Sequence, residues 1–275
     1  MMPEMNILLP MVALLLVTGA FAGVMAGLLG VGGGIILVPA YFYIFTALGY
    51  GSDQLMQICL ATSLATIIVT SLRSVSGHNK KGVVDWDILR GYAPGILVGA
   101  ALGVLVAAAL RSVVLQGIFG VLGIFVGLYL AFGRNHWRLG HTMPAGIRRA
   151  ILSPVLGFMS VLMGIGGGSF GVPLMSLYNT PIHRAVATAA GLGVLIAVPS
   201  VTGFLMLDIP ATAKPPYTIG AVNIPAFVLT ISMTLVTAPY GVVLAHRMDP
   251  QPLKRVFAAF LILVSLNMLR KAAGL

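Results

Sequence analysis

Ten apolar stretches follow one another along the chain, separated by short polar or basic connections: Ile7 to Leu29, Ile35 to Leu48, Leu55 to Leu72, Ile88 to Leu110, Val113 to Phe132, Ala150 to Met163, Ser169 to Tyr178, Ala185 to Leu207, Gly220 to Ala245 and Leu253 to Leu269. Crossing a hydrocarbon layer of ~30 Å at ~1.5 Å per residue takes roughly 20 residues. The longer stretches predict membrane-spanning helices. Ile35 to Leu48 and Ser169 to Tyr178 are too short to span.

The order of these stretches repeats. Gly30-Val-Gly-Gly-Gly34 followed by Val38-Pro39 recurs as Gly164-Ile-Gly-Gly-Gly168 followed by Val172-Pro173, a shift of 134 residues. Ala61-Thr62 matches Ala187-Thr188 at a shift of 126, and Gly82-Val-Val-Asp-Trp86 matches Gly220-Ala-Val-Asn-Ile224 at 138. The last shift holds through Gly103 and Gly241, Leu115 and Leu253, and Phe119 and Phe257. Both changes of shift fall in polar connections, near Gly49 to Asp53 and Asp208 to Thr218. Two copies of one unit explain the pattern: a first membrane repeat over 1–132, a polar basic connection over 133–149 and a second repeat over 150–275.

Lys and Arg collect at Arg73 to Arg90, Arg134 to Arg149 and His246 to Arg255, which marks these as cytoplasmic connections. Eight plain spans and a scheme with a re-entrant segment at each glycine motif differ by a single basic residue in this count. In the second scheme each half keeps three full crossings, an odd number, and the second half is inverted relative to the first, as in many secondary transporters. The expected fold is therefore an all-α integral membrane protein of two homologous, inverted halves. Each half has a Gly-broken or re-entrant segment plus about three transmembrane helices.

Composition strengthens the membrane reading. Of 275 residues, 59% are hydrophobic and 8% charged, against roughly 45–50% and 25% in soluble domains, which excludes an ordinary water-soluble enzyme. The formal charge of +10 is spread over connections and forms no patch, so it reports topology and not nucleic-acid binding. The N-terminus lacks the basic start of a signal peptide, and the first apolar stretch is expected to be retained. Cys59 is the single cysteine, so no internal disulfide forms. His136 and His141 lack ligand spacing, and no metal or cofactor is expected. Trp86 and Trp137 read as anchors at the membrane interface, and His183 and Arg184 as a solvated pair opening a helix.

Three adjacent glycines remove every side chain at a helix break. Unwound backbone at membrane depth is tolerated where it lines a wet cavity, and its free amides, with the positive end of the following half-helix, favour an anion. The expected substrate site lies between Gly32, Gly33 and Gly34, with Pro39, and Gly166, Gly167 and Gly168, with Pro173. Thr62, Thr66 and Thr70 share one helical face beside Ser63 and Ser71, and Thr188 repeats Thr62. Thr62, Ser63, Thr188 and Ser169 are the expected hydroxyl donors to the substrate. Interhelical bonding explains such a stripe equally well. No acid falls mid-span, which disfavours a cation carrier and leaves a proton free to accompany the substrate as a protonated weak acid. Gly167-Gly-Ser-Phe-Gly171 fits a hydrolase elbow with His246 as partner, but its repeat Gly33-Gly-Ile-Ile-Leu37 keeps the glycines and lacks the serine. No catalytic residue is expected.

At these residues the chain resembles the sulfite exporter TauE/SafE family, also called TSUP. The likeness is carried by Gly30-Val-Gly-Gly-Gly-Ile-Ile-Leu-Val-Pro39, Gly164-Ile-Gly-Gly-Gly-Ser-Phe-Gly-Val-Pro173, Ala61-Thr-Ser-Leu64, Ala187-Thr-Ala-Ala190 and Gly82-Val-Val-Asp-Trp86. The chain departs at Ala189, where the family favours a serine like Ser63. The resemblance implies a multi-pass permease of the bacterial inner membrane that exports sulfite, sulfoacetate, thiosulfate or related sulfonates. Its expected partners are that anion, a co-transported proton, the lipid bilayer and a second copy in a homodimer, with no nucleic acid. The alternatives are a carrier of another small organic anion or amino acid, or a scaffold subunit without flux.

Overall fold

The computed structural model describes residues 5–29, 33–133, 137–247 and 250–274. Gly30, Val31, Gly32, Arg134 and His136, used above, lie outside the described residues, as do the acids Glu4 and Asp249 and the side chains of His246 and its neighbours. Ten α-helices are described: α1 (Met5–Leu29), α2 (Gly34–Ala47), α3 (Leu55–Asn79), α4 (Trp86–Ala109), α5 (Ser112–Phe132), α6 (Gly146–Leu162), α7 (Gly168–Leu177), α8 (Ile182–Leu205), α9 (Ile224–Arg247) and α10 (Pro250–Ala272). A two-stranded hairpin, β1 (Thr218–Ile219) and β2 (Val222–Asn223), precedes α9.

Six segments are long and apolar enough to cross a bilayer: Leu9–Gly27, Leu55–Asn79, Trp86–Ala109, Ser112–Phe132, Ile182–Leu205 and Ile224–Gly241. The chain is an all-α multi-pass membrane protein. Of the six, α3 and α8 are the most buried and form the centre. Side chains such as Val17, Leu105 and Phe125 are exposed on outer helices, as lipid contact requires. α2 and α7, at about 1.5 Å per residue, are too short to span, as the sequence predicts.

The helices of the first five and the last five residue blocks occur in the same order, and they interleave. α1 packs along α9 and α6 packs along α4. A Cβ on Gly103 of α4 would lie 2.8 Å from Val161 and 3.2 Å from the Phe158 carbonyl, while one on Gly241 of α9 would lie 2.1 Å from the Val24 carbonyl and 3.1 Å from Gly27. These are the same positions under the shifts of 138 and 134. Glycine allows this close crossing, because no larger residue fits between the backbones. α3 meets α8, and α5 meets α10.

The ends of the elements sort into two faces. On the basic face, Leu139 N–H donates to the Leu177 carbonyl at 2.8 Å, Arg138 bonds Asn179, and Arg184 pairs with Asp85 at 3.1 Å. The α7–α8 corner therefore lies beside the connection that leads into α6. On the far face, Arg111 pairs with Asp53 at 3.2 Å, and Ser52 Oγ donates to the Ala213 carbonyl at 2.7 Å. Residues 206–223 separate α8 from α9, whereas 80–85 separate α3 from α4, which accounts for the twelve-residue change of shift. α6 begins at Gly146, inside the polar 133–149 stretch.

Candidate substrate site

The two glycine breaks meet at the middle of α3. A Cβ on Gly34 would lie 2.6 Å from the Gly164 carbonyl and 3.0 Å from Ile67, and Ser63 Oγ donates to that same carbonyl at 2.7 Å. Gly33 (φ +73°) and Gly164 (φ +61°) occupy the left-handed region that glycine enters without strain. Pro39 and Pro173 lie inside α2 and α7, and each lacks the amide that would bond the carbonyl four residues earlier. Gly32 lies outside the described residues. Ser169 Oγ is buried and has no hydrogen-bond partner among the described residues.

Thr62 and Thr188 are brought together with the other half and not with the cavity described below. Thr62 Oγ1 accepts from Asn223 N–H at 3.0 Å and donates to the Ile58 carbonyl at 2.7 Å. Thr188 Oγ1 accepts from Asp85 N–H at 2.9 Å. Asp85 and Asn223 each cap the helix that follows, accepting from Ile88 N–H at 3.2 Å and Ala226 N–H at 3.0 Å. Each threonine thus clamps the cap of a helix from the opposite half. Thr62→Val and Thr188→Val should each destabilise the folded protein by about 1–3 kcal/mol, because each leaves a backbone N–H without its acceptor. Thermal unfolding in detergent checks this, with the serine variants recovering most of the loss.

A cavity of about 230 Å³ opens from the second glycine break toward the basic face. Its floor is Gly166, Gly167 and Gly168, at the start of α7, where the N-cap Gly167 has no side chain to occupy the first-turn amides. Its walls include Thr70, Ser71, Ser74 and Thr234, and its mouth carries Arg73, His78 and Lys81. No acid is among the described lining residues. From the basic face inward the cavity presents positive charge first, then hydroxyls, then the N-terminus of a helix, an order of groups that suits an anion.

Sequence reasoning treated Arg73 and Lys81 as markers of topology alone. The signal that connects them to the site is spacing: Thr70, Ser74, His78 and Lys81 continue the hydroxyl stripe of α3 at steps of three and four. Ser71 and Gly193 meet behind the floor, where a Cβ on Gly193 would lie 2.5 Å from Ser71 Oγ.

A cavity that runs from one face into the middle of a membrane-spanning helical body is the build of a membrane transporter. Comparison of sequences specifies the kind: the chain belongs to the sulfite exporter TauE/SafE family, whose model matches residues 15–268. A Haemophilus influenzae protein named "Probable membrane transporter protein" is 28% identical over 94% of this chain and 98% of its own length. One of the same name from Methanocaldococcus jannaschii is 27% identical over 97% of each chain. A third such protein, YunE of Bacillus subtilis, is 31% identical over 69% of this chain and 76% of its own. No solved structure matches the chain.

Proposed function

We propose that the protein exports a small sulfur-containing anion, such as sulfite or a short organosulfonate, by way of the cavity at the second glycine break. The observation that carries this reading is the order of the polar groups in a partly apolar cavity: amides at the floor, hydroxyls on the walls, Arg73, His78 and Lys81 at the mouth, and no carboxylate among the described lining residues. The family description supplies the sulfur anion. The binding set proposed is Gly166, Gly167 and Gly168 with Ser71 and Thr70. The break at Gly33 and Gly34 packs against Gly164 and shapes it from the other half.

In this reading the basic face is cytoplasmic, residues 1–132 and 150–275 are the two repeats, and the second is inverted. Support for inversion comes from the pairing of ends. α1 runs alongside α9 in the same direction, Gly19 by Thr230 and Gly241 by Val24, while α6 runs alongside α4 in the same direction, Gly91 by Arg149 and Gly103 by Val161. α4 leaves the basic face and α9 leaves the far face, so the hairpins α1–α2 and α6–α7 enter from opposite sides.

The test is flux of radiolabelled sulfite and sulfoacetate in proteoliposomes, with and without an imposed pH gradient. Saturable flux is expected, with a response to the gradient if a proton moves with the anion. Arg73→Gln combined with Lys81→Gln should raise KM from the basic face about tenfold, the loss of two attractive charges at a solvated mouth. No flux of either compound from intact, loaded liposomes overturns the substrate assignment.

A further inference from the structure

Two hydroxyls at the centre of the protein take no part in the interactions described so far. Tyr41 and Thr230 are both fully buried, and neither hydroxyl has a hydrogen-bond partner among the described residues. The two hydroxyls lie near one another and near Thr66, just beyond hydrogen-bond distance, so that a small shift would let them bond to each other. The neighbouring hydroxyl protons are engaged: Thr66 donates to the Thr62 carbonyl at 3.1 Å, Thr70 to the Thr66 carbonyl at 3.2 Å, and Thr234 to the Thr230 carbonyl at 2.7 Å. Serine and threonine in a membrane helix can always return a proton to the carbonyl four residues back. A tyrosine hydroxyl cannot reach its own helix in this way, and Thr230 does not do so here.

The pair lies one helical turn beyond the cavity, since Thr70 and Thr234 line its inner end and Thr66 and Thr230 are the next positions along α3 and α9. In the other direction the polar line continues. Thr62 accepts from Asn223 N–H, Asn223 Nδ2 donates to Thr218 Oγ1 at 2.9 Å, and Thr218 borders a second pocket, on the far face, with Lys214, Tyr50 and Tyr217. A row of hydroxyl and amide side chains thus joins two openings on opposite faces, each carrying positive charge.

The fold does not require this polarity. Under the repeat shifts, Thr66 and Thr70 correspond to Leu192 and Ile196, Thr230 and Thr234 to Tyr92 and Ile96, and Tyr41 to Met175. Those residues fill the matching seam between α4 and α8, all of them buried, and Tyr92 finds the Pro144 carbonyl at 3.3 Å. The same architecture therefore packs well with apolar side chains, and the seam between α3 and α9 holds donors instead. Two buried hydroxyls without partners on a polar row between two openings suit a ligand that brings acceptors with it.

We propose that Tyr41 and Thr230 form an occluded oxyanion site, the step of the translocation path between the basic-face cavity and the far-face pocket at Lys214. The proposal rests on the transport reading above. Each hydroxyl donates to the passing anion, whose charged oxygens are stronger acceptors than the two hydroxyls are for one another.

The test uses Tyr41→Phe, Thr230→Val and Thr230→Ser in the full chain. Flux of radiolabelled sulfite at saturating concentration should fall about tenfold or more in each of the first two variants and recover in Thr230→Ser. The melting temperature without anion should hold or rise, since a donor without a partner has been removed. Wild-type flux in the Tyr41→Phe, Thr230→Val double variant overturns the proposal, and so does a flux loss matched by a fall in ligand-free melting temperature. If the wild type carries neither sulfite nor sulfoacetate, the transport reading falls separately. The site is then judged by thermal shift with sulfite, sulfate, thiosulfate and nitrate: a shift abolished by Tyr41→Phe sustains it, and an unaltered shift or none overturns it.

Discussion

Gly167→Val should reduce anion flux by about 100-fold or more, the largest functional loss expected from a single substitution in this chain. A Cβ at this position would lie 2.5 Å from Leu192 Cβ, 2.6 Å from the Ala189 carbonyl and 2.8 Å from the Gly193 amide. Two of the three are backbone atoms that cannot rotate away. The valine must therefore push the start of α7 off α8 and into the cavity, displacing the amides from the place where the anion would sit. Gly117→Val is the matching control: α5 offers open space there, with nothing within 4 Å of a new Cβ. Flux assayed in proteoliposomes at equal protein content separates the two. Undiminished flux in Gly167→Val removes the second break from the site.

The largest loss of stability is expected from Asn223→Ala, about 2–4 kcal/mol, against about 1–2 kcal/mol for Asp85→Ala at the corresponding position. Asn223 is 2% exposed, and its side chain serves three groups: Oδ1 accepts from Ala226 N–H at 3.0 Å, while Nδ2 donates to the Pro216 carbonyl at 3.1 Å and to Thr218 Oγ1 at 2.9 Å. Alanine leaves the buried Ala226 N–H without its cap and removes the tie to the 216–218 turn, where Thr218 keeps its bond to the Pro215 carbonyl and Pro216 is exposed. Asp85 makes the same cap bond and a salt bridge to Arg184, but that pair is largely solvated and adds little. Melting curves of the two variants in one detergent test the ranking, and equal midpoints contradict it.

Much of the architecture was legible in the residues themselves. The doubled Gly-x-Gly-Gly-Gly blocks and their three shifts fall in register with helix pairs α2 and α7, α3 and α8, and α4 and α9, because a repeated run of glycine and proline marks a backbone feature that needs no partner to be recognised. The site was less legible. Thr62 and Thr188 stand on the face that the spacing indicates, yet spacing says nothing of what lies across from that face, and the caps at Asn223 and Asp85 lie there. Arg73 and Lys81 looked like ordinary topological charges because their contribution depends on where the last turns of α3 end relative to α7, a distance of nearly a hundred residues along the chain. Tyr41 gave no signal at all, since an aromatic residue in an apolar helix reads as packing.

The pairing of α1 with α9 and of α6 with α4 bears on how the molecule comes into being. A ribosome delivers α1 long before α9, so the glycine-lined face of α1, with Gly19 and Gly23, waits in the bilayer for a partner more than two hundred residues away. α4 waits less, for α6. The most extensive helix contacts, α1 with α9, α4 with α6, α5 with α10 and α3 with α8, run between the halves and form only as the later helices arrive. α5 waits for α10, the last helix, and the body is complete only once α10 has entered the membrane and met α5.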